Sequence, residues 1–157
     1  MALGQKSVII VRPATQDDID FVANVLLLAD IERNQKKQGW NEKAFLKQAK
    51  TTTEDEVQEN VKDSTTYVIE SDGDRVGRLR VIRTSEQLKI AGIQVLPSYQ
   101  RKRIGTAVIE SLIQEGKTKG LPVVLDVAKD NPNAKRLYLW LGFEQCGESD
   151  DHFWMTI

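Results

Sequence analysis

The sequence predicts a mixed α/β fold, and two local patterns support this prediction. Two β-rich runs flank Asp72-Gly73, which is a strong signal for an antiparallel hairpin. Between Leu88 and Val127 the patterns follow the order strand, helix, strand, which is typical of a βαβ unit with parallel strands. The chain has 157 residues without repeats or a linker, so we expect one domain.

The first quarter of the chain predicts an edge strand followed by a helix. Ser7 to Val11 is a β-branched run. Thr15 and Asp18 resemble a capping box, and apolar residues then recur at helical spacing to the region of Arg33. The polar stretch from Gln35 to Thr53 has weak periodicity and predicts a loop or a short helix.

The middle of the chain predicts an acidic helical segment and three strands. The segment runs from Glu54 to Asp63, and we expect its acidic stretch, Glu54 to Glu59, to face solvent. The strand from Leu88 to Val95 changes the phase of its apolar alternation at Ala91-Gly92, which predicts a β-bulge. The two strands of the hairpin are expected at Thr66 to Ser71 and Arg75 to Arg83.

A helix from Ile104 to Lys119 ends near Gly120, and the apolar run from Val123 to Val127 predicts a strand buried on both faces. The final helix is the best delimited. Asn131 can cap it, Pro132 takes its first position and Gly142 follows its end. Two short strands are then expected, Phe143 to Gly147 and His152 to Ile157.

The composition excludes several classes of function. A net charge of −1 provides no general attraction to nucleic acid or to an anionic membrane surface. The single cysteine, Cys146, excludes an internal disulfide and a cysteine-based zinc site, and we expect it to be a small buried residue. No apolar run is long enough to cross a bilayer and no signal core is present, so the sequence predicts a cytoplasmic protein.

A basic segment precedes the helix that begins at Ile104. Three cations, Arg101, Lys102 and Arg103, stand beside the unpaired N–H groups of the helix N-terminus, and Gly105 allows close approach of a ligand. This arrangement suits a ligand with several phosphates, such as coenzyme A. The alternative is a solvated basic turn that caps the helix.

The chain resembles the GNAT superfamily of acyl-CoA N-acyltransferases along nearly its whole length. The family's phosphate loop follows Q/R-x-x-G-x-G/A, and Gln100, Arg103 and Gly105 stand at the marked positions. Arg103 therefore replaces the first glycine. The other matching segments are Ile10-x-Arg12-Pro13, Val76-Gly77, Ile93 to Pro97, Asn131-Pro132 with Tyr138, and Leu141-Gly142-Phe143.

The resemblance implies a central, mostly antiparallel, splayed sheet of six to seven strands with helices on both faces. It implies transfer of an acetyl group from acetyl-CoA to the amine of a small molecule or peptide, without a metal. The residues implied to bind the cofactor are Ile93, Val95, Gln100, Arg101, Lys102, Arg103, Ile104, Gly105, Thr106, Asn131 and Tyr138.

Tyr138 is implied to be the proton donor to the departing thiolate. Its ordinary pKa of about 10 suits that role, although its place on the apolar stripe of its helix is equally that of a core residue. No general base is identified, because the fourth strand offers Gln94 rather than a carboxylate. A water chain, Glu32 and His152 all stay open.

The acceptor is expected in the segment around Asp30, Glu32 and Trp40, where acidic and aromatic residues suit a cationic amine. A peptide N-terminus or a lysine is a further alternative. The family often dimerises, and the sequence leaves a homodimer open. Two other readings are an inactive acyl-CoA sensor, favoured by Arg103, and a small RNA-associated domain, for which Tyr99 is the one stacking residue beside the loop.

Overall fold

The computed structural model describes residues 7–157, and the strands in this part form one seven-stranded sheet. They are β1 Ile9–Pro13, β2 Ser64–Ser71, β3 Asp74–Arg83, β4 Leu88–Val95, β5 Val123–Ala128, β6 Glu144–Glu148 and β7 His152–Thr156. The order across the sheet is β1-β2-β3-β4-β5-β7-β6. Neighbours are antiparallel except β4 and β5, which are parallel. The predicted mixed α/β fold and its parallel pair are confirmed.

The helices of residues 7–157 are α1 Ile19–Ala29, α2 Ile31–Gln35, α3 Glu42–Val57, α4 Ile104–Lys119 and α5 Pro132–Trp140. The alternation of β3 shows that they cover both faces of the sheet. Arg78 and Arg80 reach Glu56 on α3, whereas Leu79 and Val81 join the buried cluster that contains the apolar residues of α4. Successive side chains of a strand point to opposite faces, so α3 and α4 lie on opposite sides.

The first predicted helix is interrupted. A 3-10 turn, Gln16–Asp18, precedes α1, and Asp30 with φ −122° and ψ 22° separates α1 from α2. The Thr15 N–H donates to the Asp18 carboxylate at 2.8 Å, as the capping box predicts. The break at Asp30 divides the predicted helix into α1 and α2.

The stretch predicted as a loop or a short helix and the acidic segment after it share one continuous helix, α3, which covers Glu42–Val57. Asn41 begins it by accepting a hydrogen bond from the Ala44 N–H at 2.9 Å, and the helix continues to Val57. The expectation that the glutamates of this stretch all face solvent is wrong for Glu56, which is 4% exposed. Its carboxylate is paired with arginines of β3, and this pairing makes burial possible.

The hairpin and the β-bulge are confirmed. Asp72 and Gly73 have φ values of 51° and 88°, as a hairpin turn with two left-handed residues requires. On β4, Gly92 pairs with Arg80 and Ile90 pairs with Val81, which leaves Ala91 as the extra residue of the bulge.

Two smaller expectations are wrong. Cys146 is exposed, because it lies on β6 at the edge of the sheet. β5 is buried on one face only, since Asp126 on its other face is exposed and pairs with Lys89 at 3.2 Å. By contrast, the helix predicted from Ile104 to Lys119 is confirmed, because α4 has these bounds.

Candidate active site

The central feature of the site is a gap between β4 and β5. The two strands pair only at Leu88–Ile90 with Val123–Leu125. Beyond the bulge, residues 92–95 of β4 stay paired with β3, while residues 126–128 of β5 continue along β7. The sheet therefore opens toward the carboxyl ends of β4 and β5.

The segment between β4 and α4 is tied to the end of β4. The Gln100 side-chain amide donates to the Val95 carbonyl at 2.9 Å. Arg101 and Arg103 adopt left-handed φ values of 62° and 61°. Left-handed residues in such a loop are typical of concavities where backbone N–H groups bind anions. Arg103 thus has the left-handed backbone conformation that favours glycine, the residue that the family's phosphate-loop motif has at this position.

The predicted loop residues divide into two groups. The side chains of Arg101, Lys102 and Arg103 are exposed at the start of α4, so their charge is available to a phosphate. Ile104 is only 4% exposed and packs into the core, so it can contribute only its backbone to a ligand. Thr106 is half-buried in the first turn of α4.

One cavity of about 890 Å³ joins the opened sheet to the loop and the last helix. Its wall is formed by the end of β4, the start of α4, the start of α5 and the segment from α1 to α2. The predicted residues that line it are Glu32, Ile93, Val95, Gln100, Arg101, Gly105, Asn131 and Tyr138. Lys102, Arg103, Ile104, Thr106 and Trp40 do not line it.

Tyr138 lies on the cavity wall with its ring edge-on to Phe143, at 5.8 Å between ring centroids. Burial raises the pKa of Tyr138 to about 12, and the charge of Asp30 adds to the increase. The phenol therefore keeps its proton throughout the neutral range and can act as a hydrogen-bond donor in the cavity.

Asn131 has the capping role expected from the sequence. Its side-chain oxygen accepts a hydrogen bond from the Ala134 N–H at 3.3 Å, and Pro132 follows at the first helical position. Since Asn131 also lines the cavity, the cap fixes the start of α5 at the cavity wall.

The cavity wall carries a charged group formed by Asp30, Arg33 and Asp130, and of these only Asp30 was a candidate from the sequence. Arg33 lies between Asp30 and Asp130, with 3.5 Å from its nitrogens to an oxygen of each carboxylate. Asp30 belongs to the break after α1, and Asp130 immediately precedes Asn131. No local motif connects these segments, because they meet only in the folded sheet.

Other candidates from the sequence lie away from the cavity. Trp40 packs against Phe45, with 6.0 Å between ring centroids. Gln94 accepts a hydrogen bond from Arg78 at 3.0 Å, on the α3 side of the sheet. His152 contacts the Asp151 carboxylate at 2.8 Å and is not part of the cavity wall.

Residues 7–157 contain no group of three or more histidine, cysteine, aspartate or glutamate side chains placed to hold a metal ion. Within the same stretch, none of the helices has the length and apolar character needed to span a membrane.

Comparison with known proteins identifies the family. The model of the acetyltransferase (GNAT) family matches residues 27–143, which include β2 to β5 and the whole cavity wall. Curated proteins offer no sequence match to this chain.

Solved structures share the fold at low sequence identity. PaiA N-acetyltransferase from Thermoplasma acidophilum, solved with coenzyme A, has a TM-score of 0.79 and 17% identity, over 95% of this chain and 98% of that one. Spermidine N-acetyltransferase from Vibrio cholerae, solved with CoA and spermine, has a TM-score of 0.68 and 19% identity, over 95% of this chain and 94% of that one. The ribosomal-protein-S18-alanine N-acetyltransferase from Escherichia coli has a TM-score of 0.62 and 20% identity, over 96% of this chain and 93% of that one.

Proposed function

The chain belongs to the acetyltransferase (GNAT) family, and from this we propose that it transfers the acetyl group of acetyl-CoA directly to a primary amine of a small molecule or peptide. One observation supports the proposal above the others. A single cavity joins the opened strand β4, the basic N-terminus of α4 and Tyr138 of α5.

We place the phosphates of acetyl-CoA at the loop from Gln100 to Thr106. The N-terminus of α4 supplies backbone donors and the positive end of a helix dipole, and Arg101 supplies charge on the cavity wall. The pantetheine arm then runs between β4 and Asn131. The Val95 carbonyl already accepts a hydrogen bond from Gln100, and the other backbone groups of residues 92–95 that face the separated β5 have no strand partner within residues 7–157, so an extended arm can pair with them.

The chemical step needs no covalent enzyme intermediate. The neutral amine attacks the thioester carbonyl, a C–N bond forms and the C–S bond breaks. A backbone N–H of the β4 segment stabilises the developing oxyanion. The thiolate receives a hydrogen bond and then a proton from Tyr138, whose pKa keeps it protonated before transfer. The amine nitrogen releases one proton to water as the amide forms, and the Tyr138 phenolate takes a proton back from water, so that the net step gives the amide and free CoA thiol.

The acceptor enters from the α1–α2 side in this proposal. Asp30, Glu32 and Asp130 place carboxylates on that wall. Arg33 pairs with Asp30 and Asp130, whereas Glu32 has no ion pair among residues 7–157, so Glu32 is the carboxylate that best suits a cationic amine. The spermine bound by the Vibrio cholerae enzyme is an amine of this kind.

The second candidate function is an inactive acyl-CoA sensor, and the observation that favours it is Arg103. This residue occupies, with a left-handed φ, the position that the family's phosphate-loop motif fills with glycine, and its side chain is exposed at the start of α4. Binding without transfer is the property that separates a sensor from the enzyme.

Calorimetric titration with acetyl-CoA, free CoA and ATP tests the cofactor site. We expect micromolar binding of both CoA species and at least about tenfold weaker binding after Arg101, Lys102 and Arg103 are changed to glutamine. The control carries the same charge change on the exposed lysines of α3, Lys43, Lys47 and Lys50. No CoA binding, or equal weakening in the control, contradicts the proposed site.

The Tyr138→Phe variant tests the chemical role. We expect thiol release in the presence of a panel of amines to fall by roughly 10²-fold or more, with acetyl-CoA affinity retained. An unchanged rate removes Tyr138 from the mechanism. Binding without thiol release in the unaltered protein, across the whole amine panel, supports the sensor.

A further inference from the structure

A charged network is buried between α3 and the sheet, outside the cavity. The Arg78 guanidinium donates to both oxygens of Glu56 at 3.2 and 3.3 Å, and these side chains are 6% and 2% exposed. Thr66 of β2 donates to Glu56 at 2.6 Å, and Arg80 lies 3.5 Å from the same carboxylate. The network therefore connects α3, β2 and β3.

Arg78 extends this network to β4. Its second terminal nitrogen donates to the side-chain oxygen of Gln94 at 3.0 Å. It also passes over Gly92, where an added Cβ would lie 2.5 Å from the same nitrogen. Glycine at position 92 thus makes room for the guanidinium, which contacts β4 at two positions on one face.

These contacts fall on the part of β4 that has lost its pairing with β5. Ala91 is the bulge, and within residues 7–157 the segment from Gly92 to Val95 is paired only with β3. Gly92 and Gln94 flank Ile93, which lines the cavity on the other face. The guanidinium therefore contacts β4 on the face opposite the cavity and supports the backbone segment that borders the gap.

The stability of the fold is a weak reason for this arrangement. Taking an ion pair out of water costs free energy that the pairing does not always return. Burial lowers the pKa of Arg78, and its Nε has no hydrogen-bond partner within residues 7–157. Apolar side chains could fill the same space, so the network is better explained by the precision with which it holds β4.

We propose that Arg78, held by Glu56, is a positioning residue that fixes the Gly92–Val95 backbone so that it can polarise the thioester carbonyl of acetyl-CoA. The proposal rests on the proposed function, because it requires acetyl-CoA in the gap between β4 and β5. Arg78 acts through the strand and touches neither substrate. Removal of the Arg78 guanidinium should therefore reduce the polarisation of the thioester carbonyl and leave the contacts between the loop and the phosphates in place.

The carbonyl stretch of bound acetyl-CoA provides a direct test. Difference infrared spectra with acetyl-CoA labelled at the carbonyl carbon report how strongly the protein polarises this bond. In the unaltered protein we expect the stretch to move to lower frequency on binding. In Arg78→Gln we expect at least about half of that shift to disappear, while the Kd for CoA by calorimetry changes less than about threefold.

Arg83→Gln is the matched control on the same strand. Arg83 is also in an ion pair, at 2.8 Å from Glu115, and lies opposite Leu88, where β4 and β5 are still close neighbours. Both variants lose an ion pair of β3, but only Arg78 contacts the separated part of β4. An equal loss of the carbonyl shift in Arg83→Gln means that general destabilisation explains the effect, and it overturns the proposal.

Gln94→Met is the second variant, for the case that Arg78→Gln does not fold. It removes the hydrogen bond of Arg78 to Gln94 and keeps both the pair with Glu56 and the approach to Gly92, so we expect a smaller loss of the carbonyl shift. A full carbonyl shift in Gln94→Met overturns the inference whether or not Arg78→Gln folds, and it leaves the proposed function untouched. If acetyl-CoA does not bind to the unaltered protein, the proposed function fails first.

Discussion

Tyr138 combines two influences that both keep its proton in place. Its pKa of about 12 results from burial first and from the charge of Asp30 second. A thiol ordinarily has a pKa of about 8.5, so full proton transfer from this phenol to a thiolate is uphill by about 5 kcal/mol in the free protein. A cationic acceptor next to Asp30 would offset its charge and make Tyr138 a stronger acid when the acceptor is bound.

Replacing Asp30 with asparagine should therefore lower the pKa of Tyr138. We expect the value to fall below about 12 but to stay above the ordinary 10, because the larger cause, burial, is unchanged. Ultraviolet titration of tyrosinate measures it, with the Tyr138→Phe spectrum subtracted to remove Tyr67 and Tyr99. Glu32→Gln is the control, and an equal decrease in both variants would contradict a specific effect of Asp30.

The positions of candidate site residues could be predicted from the sequence where a local motif marks them. Asn131 and Gly105 belong to such motifs, and the structure places both on the cavity wall. The pairing of Glu56 with Arg78 could not be predicted, because the partners are 22 residues apart and neither lies in a recognisable pattern. Asp130 was missed for the same reason, since its neighbour Arg33 comes from the other end of the chain.

Arg103, at the start of α4, adopts a left-handed backbone conformation that is unfavourable for arginine. Arg103 has a φ of 61°, which costs a non-glycine residue about 1 kcal/mol. We expect Arg103→Gly to relieve this strain, so that the variant is at least as stable as the unaltered protein although glycine also adds freedom to the unfolded chain. Denaturant unfolding at equilibrium gives the free energy of unfolding of each variant.

Lys102→Gly is the matched control within the same loop, because Lys102 has no left-handed φ. There glycine only adds freedom to the unfolded chain, and we expect it to destabilise by about 0.5–1 kcal/mol. The difference between the two variants should be about 1 kcal/mol in favour of Arg103→Gly. Equal effects would show that the left-handed conformation at position 103 carries no strain.

Among the elements, α3 shows where sequence patterns stop being informative. Its buried residues Ala49, Thr53 and Glu56 follow the spacing i, i+4, i+7 of one helix face. Only one of them is apolar, so a search for apolar periodicity does not detect the helix. The helix α4 was predicted because its buried face is apolar and Gly120 follows its end, and α5 was predicted because Asn131 caps it and Pro132 takes its first position.

Two ion-pair groups connect elements that are distant in the chain. Arg83 lowers the pKa of Glu115 from its ordinary 4.5 to about 2, with a second contribution from Lys119. Arg12, and then Arg75, hold the pKa of Asp18 well below its ordinary range. The first group joins β3 to α4 and the second joins β1 to β3, so both contribute to the stability of the whole molecule.

The pH dependence of stability follows from the direction of these pKa shifts. A carboxylate with a depressed folded pKa stabilises the protein above its unfolded pKa and loses this contribution as the pH falls toward the folded value. For Glu115 the contribution is present above about pH 4.5 and is lost toward about pH 2. We expect Glu115→Gln to be less stable than the unaltered protein at about pH 7 and nearly equal to it at about pH 2.

Urea unfolding at several pH values measures this difference. Glu110→Gln is the control, because Glu110 is exposed on the same helix and has no ion pair among residues 7–157. A gap between Glu115→Gln and the unaltered protein that stays constant across the acid range would contradict the depressed pKa of Glu115.

The overall topology was the most predictable part of the molecule. The turn at Asp72-Gly73 and the βαβ order are local signals for two of the six strand pairings described, β2 with β3 and β4 with β5, and the mostly antiparallel sheet as a whole was expected from the family resemblance. The bulge at Ala91, beyond which β4 leaves β5, was also marked locally, by the change of phase at Ala91-Gly92. The contacts of Arg78 behind this part of β4 have no such signal, because its partner Glu56 arrives only when α3 packs on the sheet.

The position of β7 has a consequence for how the protein is made. β6 precedes β7 in the chain, yet among the strands described it pairs only with β7, which lies between it and β5. While the chain emerges from a ribosome, β1 to β4 can assemble early, whereas β6 has no neighbour until residues 152–156 have appeared. β5 can pair with β4 before β7 is made, but its other edge has no neighbour until then. A pause in translation before β7 would therefore leave one edge of β5 exposed.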